Sequence, residues 1–137
     1  MGVKEAVRIL VLRRLVDDKV ALSILEMALL KNMSPSEIST ALGVKKSYVK
    51  SNVYVFVKAA GDHVRAADLL RKALPIVMGI DPVVFGAPGR MYRCRLCLRD
   101  FTVNLRDSQS RMEHVRLSHR DVVEKYVSSV VEAISRV

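Results

Sequence analysis

The sequence YRCRLCLRDF spans residues 92–101, and the sequence HVRLSH follows at residues 114–119. Two thiolates separated by two residues suit a tight turn, and imidazoles on a helix can complete a tetrahedral set of four donors. Such a set is typical of structural zinc sites. The two stretches hold both cysteines of the chain and two of its three histidines. We therefore expect one Zn²⁺ ion per chain, bound by Cys94, Cys97, His114 and His119.

This pattern resembles a two-Cys, two-His zinc finger of the ββα type. Tyr92 lies two residues before the first cysteine, and Phe101 lies four residues after the second. These are the positions at which that family places its core aromatic residues. We expect short strands at Met91–Cys94 and Leu98–Val103, and a helix that carries both histidines. The resemblance implies a closed, structural metal site.

The segment between the two ligand pairs departs from the family pattern. Sixteen residues separate Cys97 from His114, where about 12 are usual. Arg111 stands where the family has a core leucine, three residues before the first histidine, and Met112 follows it. The sequence therefore predicts an insertion of four residues between Asn104 and Ser110.

Other uses of the same residues stay open on the residues alone. The cysteines could form a redox pair or a disulfide, with both histidines at the surface. A catalytic zinc fits less well, because catalytic sites use three protein ligands and keep the fourth position open. No nucleophile–base pair stands out and no glycine-rich phosphate loop is apparent, so the sequence does not predict an enzyme.

The composition indicates a small globular protein with a basic balance. The chain has 137 residues, 50% of them hydrophobic, and a net charge of +9. That length holds one compact domain, or a small domain with a zinc module. A basic protein attracts polyanions through counterion release, although the same charge also keeps a protein in solution.

Three further features bear on location and source. No apolar run reaches the length that spans a bilayer, and the N-terminus lacks a secretory signal, so we expect no membrane partner. Cysteines used as metal ligands fit a reducing interior, which predicts a cytoplasmic protein that joins the nucleoid when bound to DNA. Sparse Asn and Gln beside 22 valines are typical of a thermophile.

A second motif, SPSEISTALGVKKSYVKSNV, occupies residues 34–53. It opens with a capping box and a proline at the first helical position, which predicts a helix over Pro35–Leu42. Gly43 follows, where a positive φ angle is easiest, and a second helix is expected over Lys46–Ala60. The motif resembles a helix-turn-helix DNA-binding unit. The resemblance implies that helix 46–60 is the recognition helix.

The periodicity of that second helix separates two faces. Apolar residues recur at intervals of four, three and four, so they share the face that packs on the core. The other face offers cations for phosphates and short hydrogen-bonding groups for base edges. The plain alternative is a solvated lysine face. The residues that we expect to contact DNA are Lys45, Lys46, Ser47, Lys50, Ser51 and Tyr54.

The whole pattern predicts a mainly α fold in three parts. Residues 1–74 would form a helical helix-turn-helix domain, without a wing because no strand pair follows the recognition helix, and its last helix would end near Leu74. Residues 75–90 would be a Gly- and Pro-rich linker packed on the core, with a short helical turn at Pro75–Met78 or a strand at Val83–Phe85. Residues 91–137 would form a ββα zinc-finger-like module with a long C-terminal amphipathic helix. Because residues five apart point about 140° apart on a helix, the two histidines require a kink near Leu117–Ser118.

These elements together predict a DNA-binding transcription regulator. The zinc module would be a staple and not a base reader, because the acidic residues Asp107 and Glu113 fall at the reading positions. A zinc-stapled protein-interaction adaptor and a non-specific nucleic-acid-binding protein stay open as alternatives. The apolar stripe of the C-terminal helix needs a cover, either the N-terminal helices of the same chain or the same helix of a partner. We expect a homodimer through this helix, as in many helix-turn-helix proteins.

Overall fold

The computed structural model describes residues 2–86, 92–98, 100–101 and 109–136. Helices dominate these ranges, and three short strands lie between the fifth and sixth α-helices. The second helix continues directly into a π-helical turn over Glu26–Leu30. The elements are α1 (Gly2–Leu15), α2 (Lys19–Leu25), α3 (Pro35–Leu42), α4 (Lys46–Ala60), α5 (His63–Met78), β1 (Val84–Phe85), β2 (Tyr92–Cys94), β3 (Asp100–Phe101), α6 (Gln109–Ser118) and α7 (Arg120–Ile134).

The fold class is the predicted one, mainly α with a small antiparallel sheet before the C-terminal helices. The sheet has the order β1-β2-β3. Val84 is opposite Cys94 in the first pair of strands, and Tyr92 is opposite Phe101 in the second. The first strand comes from the predicted linker. The predicted four-residue insertion, between Asn104 and Ser110, falls mostly on residues outside the described ranges.

The larger hydrophobic core forms around α1, whose buried face packs against α4, α5 and α7. The apolar stripe of α7 is buried against α1 and α5 of the same chain. The stripe residues are Val123, Val127, Val130 and Ile134. The apolar stripe is therefore buried by helices of the same chain. The homodimer stays a prediction, and this stripe no longer supports it. The core includes residues on both sides of the proposed linker.

An ion pair joins α1 to α7 at the edge of this core. The guanidinium of Arg8 donates two hydrogen bonds to the carboxylate of Glu124, at 3.0 and 2.9 Å. These bonds lower the pKa of Glu124 below its ordinary value. The pair therefore stabilises the fold above the ordinary carboxyl pKa, and this contribution disappears as the pH falls through the lowered value.

We expect Glu124→Gln to lower the free energy of unfolding at neutral pH by at most about 1 kcal/mol, because the pair is partly exposed to solvent. The loss should vanish in acid, where Glu124 is protonated in the parent chain. Urea unfolding between pH 2 and 7 measures both effects. Glu132→Gln is the matched control, since Glu132 pairs with Arg136, a neighbour four residues along the chain and just beyond the end of α7. An equal, pH-independent loss in both variants would contradict this account.

The α3–α4 segment follows the predicted bounds and caps. The hydroxyl of Ser34 accepts from the Glu37 N–H at 3.2 Å, and the Glu37 carboxylate accepts from the Ser34 N–H at 2.9 Å. Gly43 adopts the left-handed conformation, with φ 66° and ψ 34°. A second, smaller core lies beneath this turn, formed by Ile24, Ile38 and Val49. The α2, α3 and α4 helices each contribute one of these three residues.

The left-handed backbone of Gly43 predicts how substitutions at this position change the free energy of unfolding. We expect Gly43→Ala to lower the free energy of unfolding by about 1 kcal/mol, because left-handed backbone is strained for an L-residue. A Cβ at this position would meet no heavy atom within 4 Å, so the cost is conformational and not steric. Gly43→Asn should cost less, since asparagine adopts this conformation more readily. Equal losses for the two variants in chemical denaturation would contradict the argument.

One predicted boundary is wrong. The fifth helix does not end near Leu74 but continues through Pro75 to Met78, so the helical turn considered for Pro75–Met78 is present as part of this helix. Proline lacks the N–H that would bond to the carbonyl of Arg71, and Arg71 lies at the surface, where water can satisfy that group. The extra turn buries Val77 completely. Burial of that side chain, worth about 1.5–3 kcal/mol, offsets the proline.

The segment after α5 is held against the end of α1. The Arg14 side chain donates to the carbonyl of Ile80 at 2.7 Å, and the Val83 N–H donates to the carbonyl of Leu15 at 2.8 Å. Ile80, Val83 and Val84 are buried, so this segment packs on the larger core. Within the described ranges, none of the helices combines the length and the hydropathy that crossing a membrane requires.

Candidate metal centre

The two cysteines lie on either side of a tight turn that follows β2. Cys94 is the last residue of that strand, and residues 95–97 form the turn. The Leu98 N–H closes it with a bond of 2.8 Å to the carbonyl of Cys94, and Leu98 has a φ of 63°. The Val83 carbonyl accepts from the Arg95 N–H at 2.7 Å. The turn is thereby attached to the packed segment that precedes the sheet.

The two histidines approach the cysteines from the break between α6 and α7. His114 lies within α6, which ends at Ser118, and His119 separates the two helices with φ −129° and ψ 39°. The predicted kink near Leu117–Ser118 is therefore present, one residue later. The imidazole rings are nearly perpendicular, at 83°, with centroids 4.9 Å apart. In a regular helix these two side chains would point away from each other. The break turns both of them towards one point.

The four side chains of the predicted metal site converge. The Nε2 atoms of His114 and His119 are 3.2 Å apart, and Cys97 Sγ lies 3.2 Å from the first of them. Cys94 Sγ lies 3.4 Å from His119 Nε2, and all four ligand atoms are within 4.8 Å of one another. A tetrahedral zinc with bonds of about 2.0 Å to nitrogen and 2.3 Å to sulfur would separate nitrogens by about 3.3 Å and nitrogen from sulfur by about 3.5 Å. The cluster can therefore hold one metal ion.

The two cysteines of the cluster differ in burial. The side chain of Cys94 is fully buried, whereas Cys97 is exposed, and the two sulfurs are not joined in a disulfide. Burial raises the pKa of the Cys94 thiol, although N–H groups of the Cys97 and Leu96 backbone partly oppose this. A buried thiolate needs a nearby positive charge, which a metal ion supplies. The chemistry of the donor set therefore fits a metal.

Arg111, at the position of the family's core leucine, is buried with only 2% of its surface exposed. Its guanidinium lies 4.0 Å from the centroid of the Tyr92 ring, within cation–π range. The guanidinium lies over an aromatic ring of the sheet. Arg111 therefore makes the contact between α6 and the sheet at the position where the zinc-finger family has a leucine. Tyr92 and Cys94 both belong to the larger core. The metal cluster is therefore continuous with the packing that holds α1.

The α4 helix separates its faces as the periodicity predicts. Val49, Phe56 and Ala60 are buried, and Val53 is half-buried. All six residues of the predicted DNA-binding set are exposed, including Lys45, which lies at the N-cap position of the helix. Lys58 extends this exposed row, with its ammonium 5.7 Å from the centroid of the Tyr54 ring. Sequence reasoning overlooked Lys58, although its spacing of four from Tyr54 continues the stripe.

Comparison of the chain with protein-family models, with curated proteins and with solved structures finds no match. The structure shows a Cys₂His₂ cluster able to bind a metal ion.

Proposed function

We propose that the chain is a zinc-stabilised DNA-binding protein that acts as a transcription regulator, with α4 as its recognition helix. The main support is the exposed row of cations and hydroxyls on α4, above a three-helix core that is closed by a glycine turn. Helix-turn-helix proteins place the second helix of such a pair in the major groove.

Zinc is the proposed occupant of the metal cluster because two thiolates and two imidazoles in tetrahedral array are typical ligands of this ion. Four protein ligands close the coordination sphere, so the proposed role is structural and the chain is not proposed as an enzyme. The ion would join the turn after β2 to both sides of the α6–α7 break. Since α7 packs on α1, and α1 packs on α4, the ion would support the helices that present the recognition face.

The residues of α4 have distinct proposed roles. Lys46 and Lys50 lie one turn apart and would contact phosphates, with Lys45 adding a cation at the start of the helix. Ser47 and Ser51 carry short hydroxyl groups that would reach base edges in the major groove. Tyr54 would contact the duplex at the end of this row.

The test is duplex binding by the zinc-loaded, full-length chain. A duplex obtained by selection from random sequences should bind in fluorescence anisotropy, and the logarithm of the association constant should fall linearly with the logarithm of salt concentration. A scrambled duplex of the same length should bind at least about a thousandfold more weakly. Absence of duplex binding at low salt would refute the proposal, and equal affinity for both duplexes would favour a non-specific nucleic-acid-binding protein.

A second candidate function is the zinc-stapled protein-interaction adaptor. Three leucines within two residues of a proposed metal ligand in the sequence are exposed: Leu96 by 49%, Leu98 by 67% and Leu117 by 65%. Exposed apolar side chains of this size mark protein contact sites where they cluster. In this function the metal module would bind a protein, and Leu98→Ser with Leu117→Ser would abolish capture of that partner while leaving duplex binding unchanged.

A further inference from the structure

An open groove of about 560 Å³ lies beside α4, between the residues that precede α3, α3 itself and the start of α5. Its volume is within the range of small-molecule sites, which is roughly 300–1,000 Å³. The groove is distinct from the metal cluster, because the two share no residue. Nothing in the proposed DNA-binding role requires a groove at this position.

The interior of the groove is apolar. The half-buried Met33, Val53 and Val57 form its walls, and Ile38 and Val49 of the smaller core lie beneath them, fully buried. These side chains would bury the hydrocarbon of a ligand, which contributes about 0.8 kcal/mol per methylene group. The site therefore suits a molecule with an extended apolar part.

The rim of the groove is basic. Lys50, Lys58 and His63 line it, and all three are exposed. Among the described residues that line the groove, none is acidic. Two ammonium groups at the mouth of an apolar site complement an anionic group attached to an apolar body. A neutral or cationic headgroup would gain nothing from this rim.

We propose that this groove is a binding site for a small anionic amphiphile, a molecule with one carboxylate and an apolar chain or ring system. The carboxylate contacts one of the two rim lysines, Lys50 or Lys58, which lie two turns apart on α4, and the apolar part lies on Val53 and Val57. Since Lys50 and Tyr54 also belong to the proposed DNA-binding set, such a molecule would compete with a duplex. The competition with a duplex rests on the proposed function, whereas binding of the amphiphile does not.

The test uses decanoate, decan-1-ol and decylammonium as probes, each titrated into the zinc-loaded full chain without DNA. We expect decanoate to bind about tenfold more tightly than the alcohol, because a charge-assisted bond is added, and the cationic probe to bind most weakly. Shortening the carboxylate should weaken binding about threefold to fourfold per methylene group. The methyl NMR signals of Val53 and Val57 should shift on binding.

Two variants locate the site. Lys50→Gln with Lys58→Gln should weaken decanoate binding about tenfold, whereas the control pair Lys4→Gln with Lys125→Gln removes the same charge elsewhere and should leave it unchanged. Val57→Trp should fill the groove and abolish binding, with circular dichroism to check that the chain is folded. The inference is overturned by equal affinity for the three headgroups, by the absence of binding, or by an effect of the control pair equal to that of the groove pair. If decanoate binds but does not displace a bound duplex, only the competition is refuted; if no duplex binds, the proposed function fails independently.

Discussion

Replacement of His119 by alanine is expected to weaken zinc binding at least about a hundredfold. Structural zinc sites of this type bind with about 10–16 kcal/mol, so one of four ligands accounts for about 3 kcal/mol, which is about two powers of ten. His119 is half-buried and lies at the break between α6 and α7. Its loss removes the ligand that joins the start of α7 to the turn of the cysteines. Competition with a chromophoric zinc chelator measures the affinity.

The chain offers a matched control for this substitution. His63 is its third histidine, is exposed, and lies outside the metal cluster, so His63→Ala should bind zinc like the parent chain. Addition of EDTA should lower the thermal unfolding midpoint of the parent and of His63→Ala, because a ligand that binds only the folded state stabilises it. EDTA should change the midpoint of His119→Ala far less. Equal zinc affinity in the two variants would contradict the assigned ligand set.

Replacement of Lys46 and Lys50 by alanine is expected to reduce duplex affinity about thirtyfold at 0.15 M salt. Each phosphate contact releases about 0.9 of a counterion, so two lost contacts lower the association constant by about 1.5 powers of ten at this salt concentration. The salt dependence should also become shallower, by about one unit of slope for each lysine. Both side chains are exposed, so the fold should be retained. Anisotropy titrations at four salt concentrations measure both quantities.

The control for this prediction removes two positive charges from another part of the surface. Lys4 on α1 and Lys125 on α7 are exposed and lie outside the proposed DNA-binding set. Alanine at both positions should leave the salt slope unchanged and affect affinity little. If both double variants lose the same affinity, the duplex recognises the net charge of +9 and not the α4 face. That result would favour a nucleic-acid-binding protein without sequence specificity.

Local chemistry made much of this fold predictable. The capping box at Ser34 and the positive φ of Gly43 are properties of a few neighbouring residues, and the sequence placed both correctly. The same holds for the metal cluster, whose ligand spacing predicted all four residues that converge. The break at His119 followed from helix geometry alone, because two ligands five residues apart cannot share one face.

Other features depend on packing that the sequence does not display. Pro75 predicted the end of a helix, but burial of Val77 extended it by a turn. The apolar stripe of α7 predicted that the helix must be covered and left the identity of the cover open. The cover is α1 and α5, which lie far away in sequence. Arg111 could be recognised as a departure from the family pattern, but its stacking on Tyr92 required the three-dimensional arrangement.

The central claim is that Cys94, Cys97, His114 and His119 bind one zinc ion. X-ray absorption at the zinc edge, combined with metal analysis of the full-length chain, tests it most directly. We expect one zinc per chain, with two sulfur neighbours at about 2.3 Å and two nitrogen neighbours at about 2.0 Å. A chain that retains no zinc, or one whose zinc has no sulfur neighbour, would contradict it.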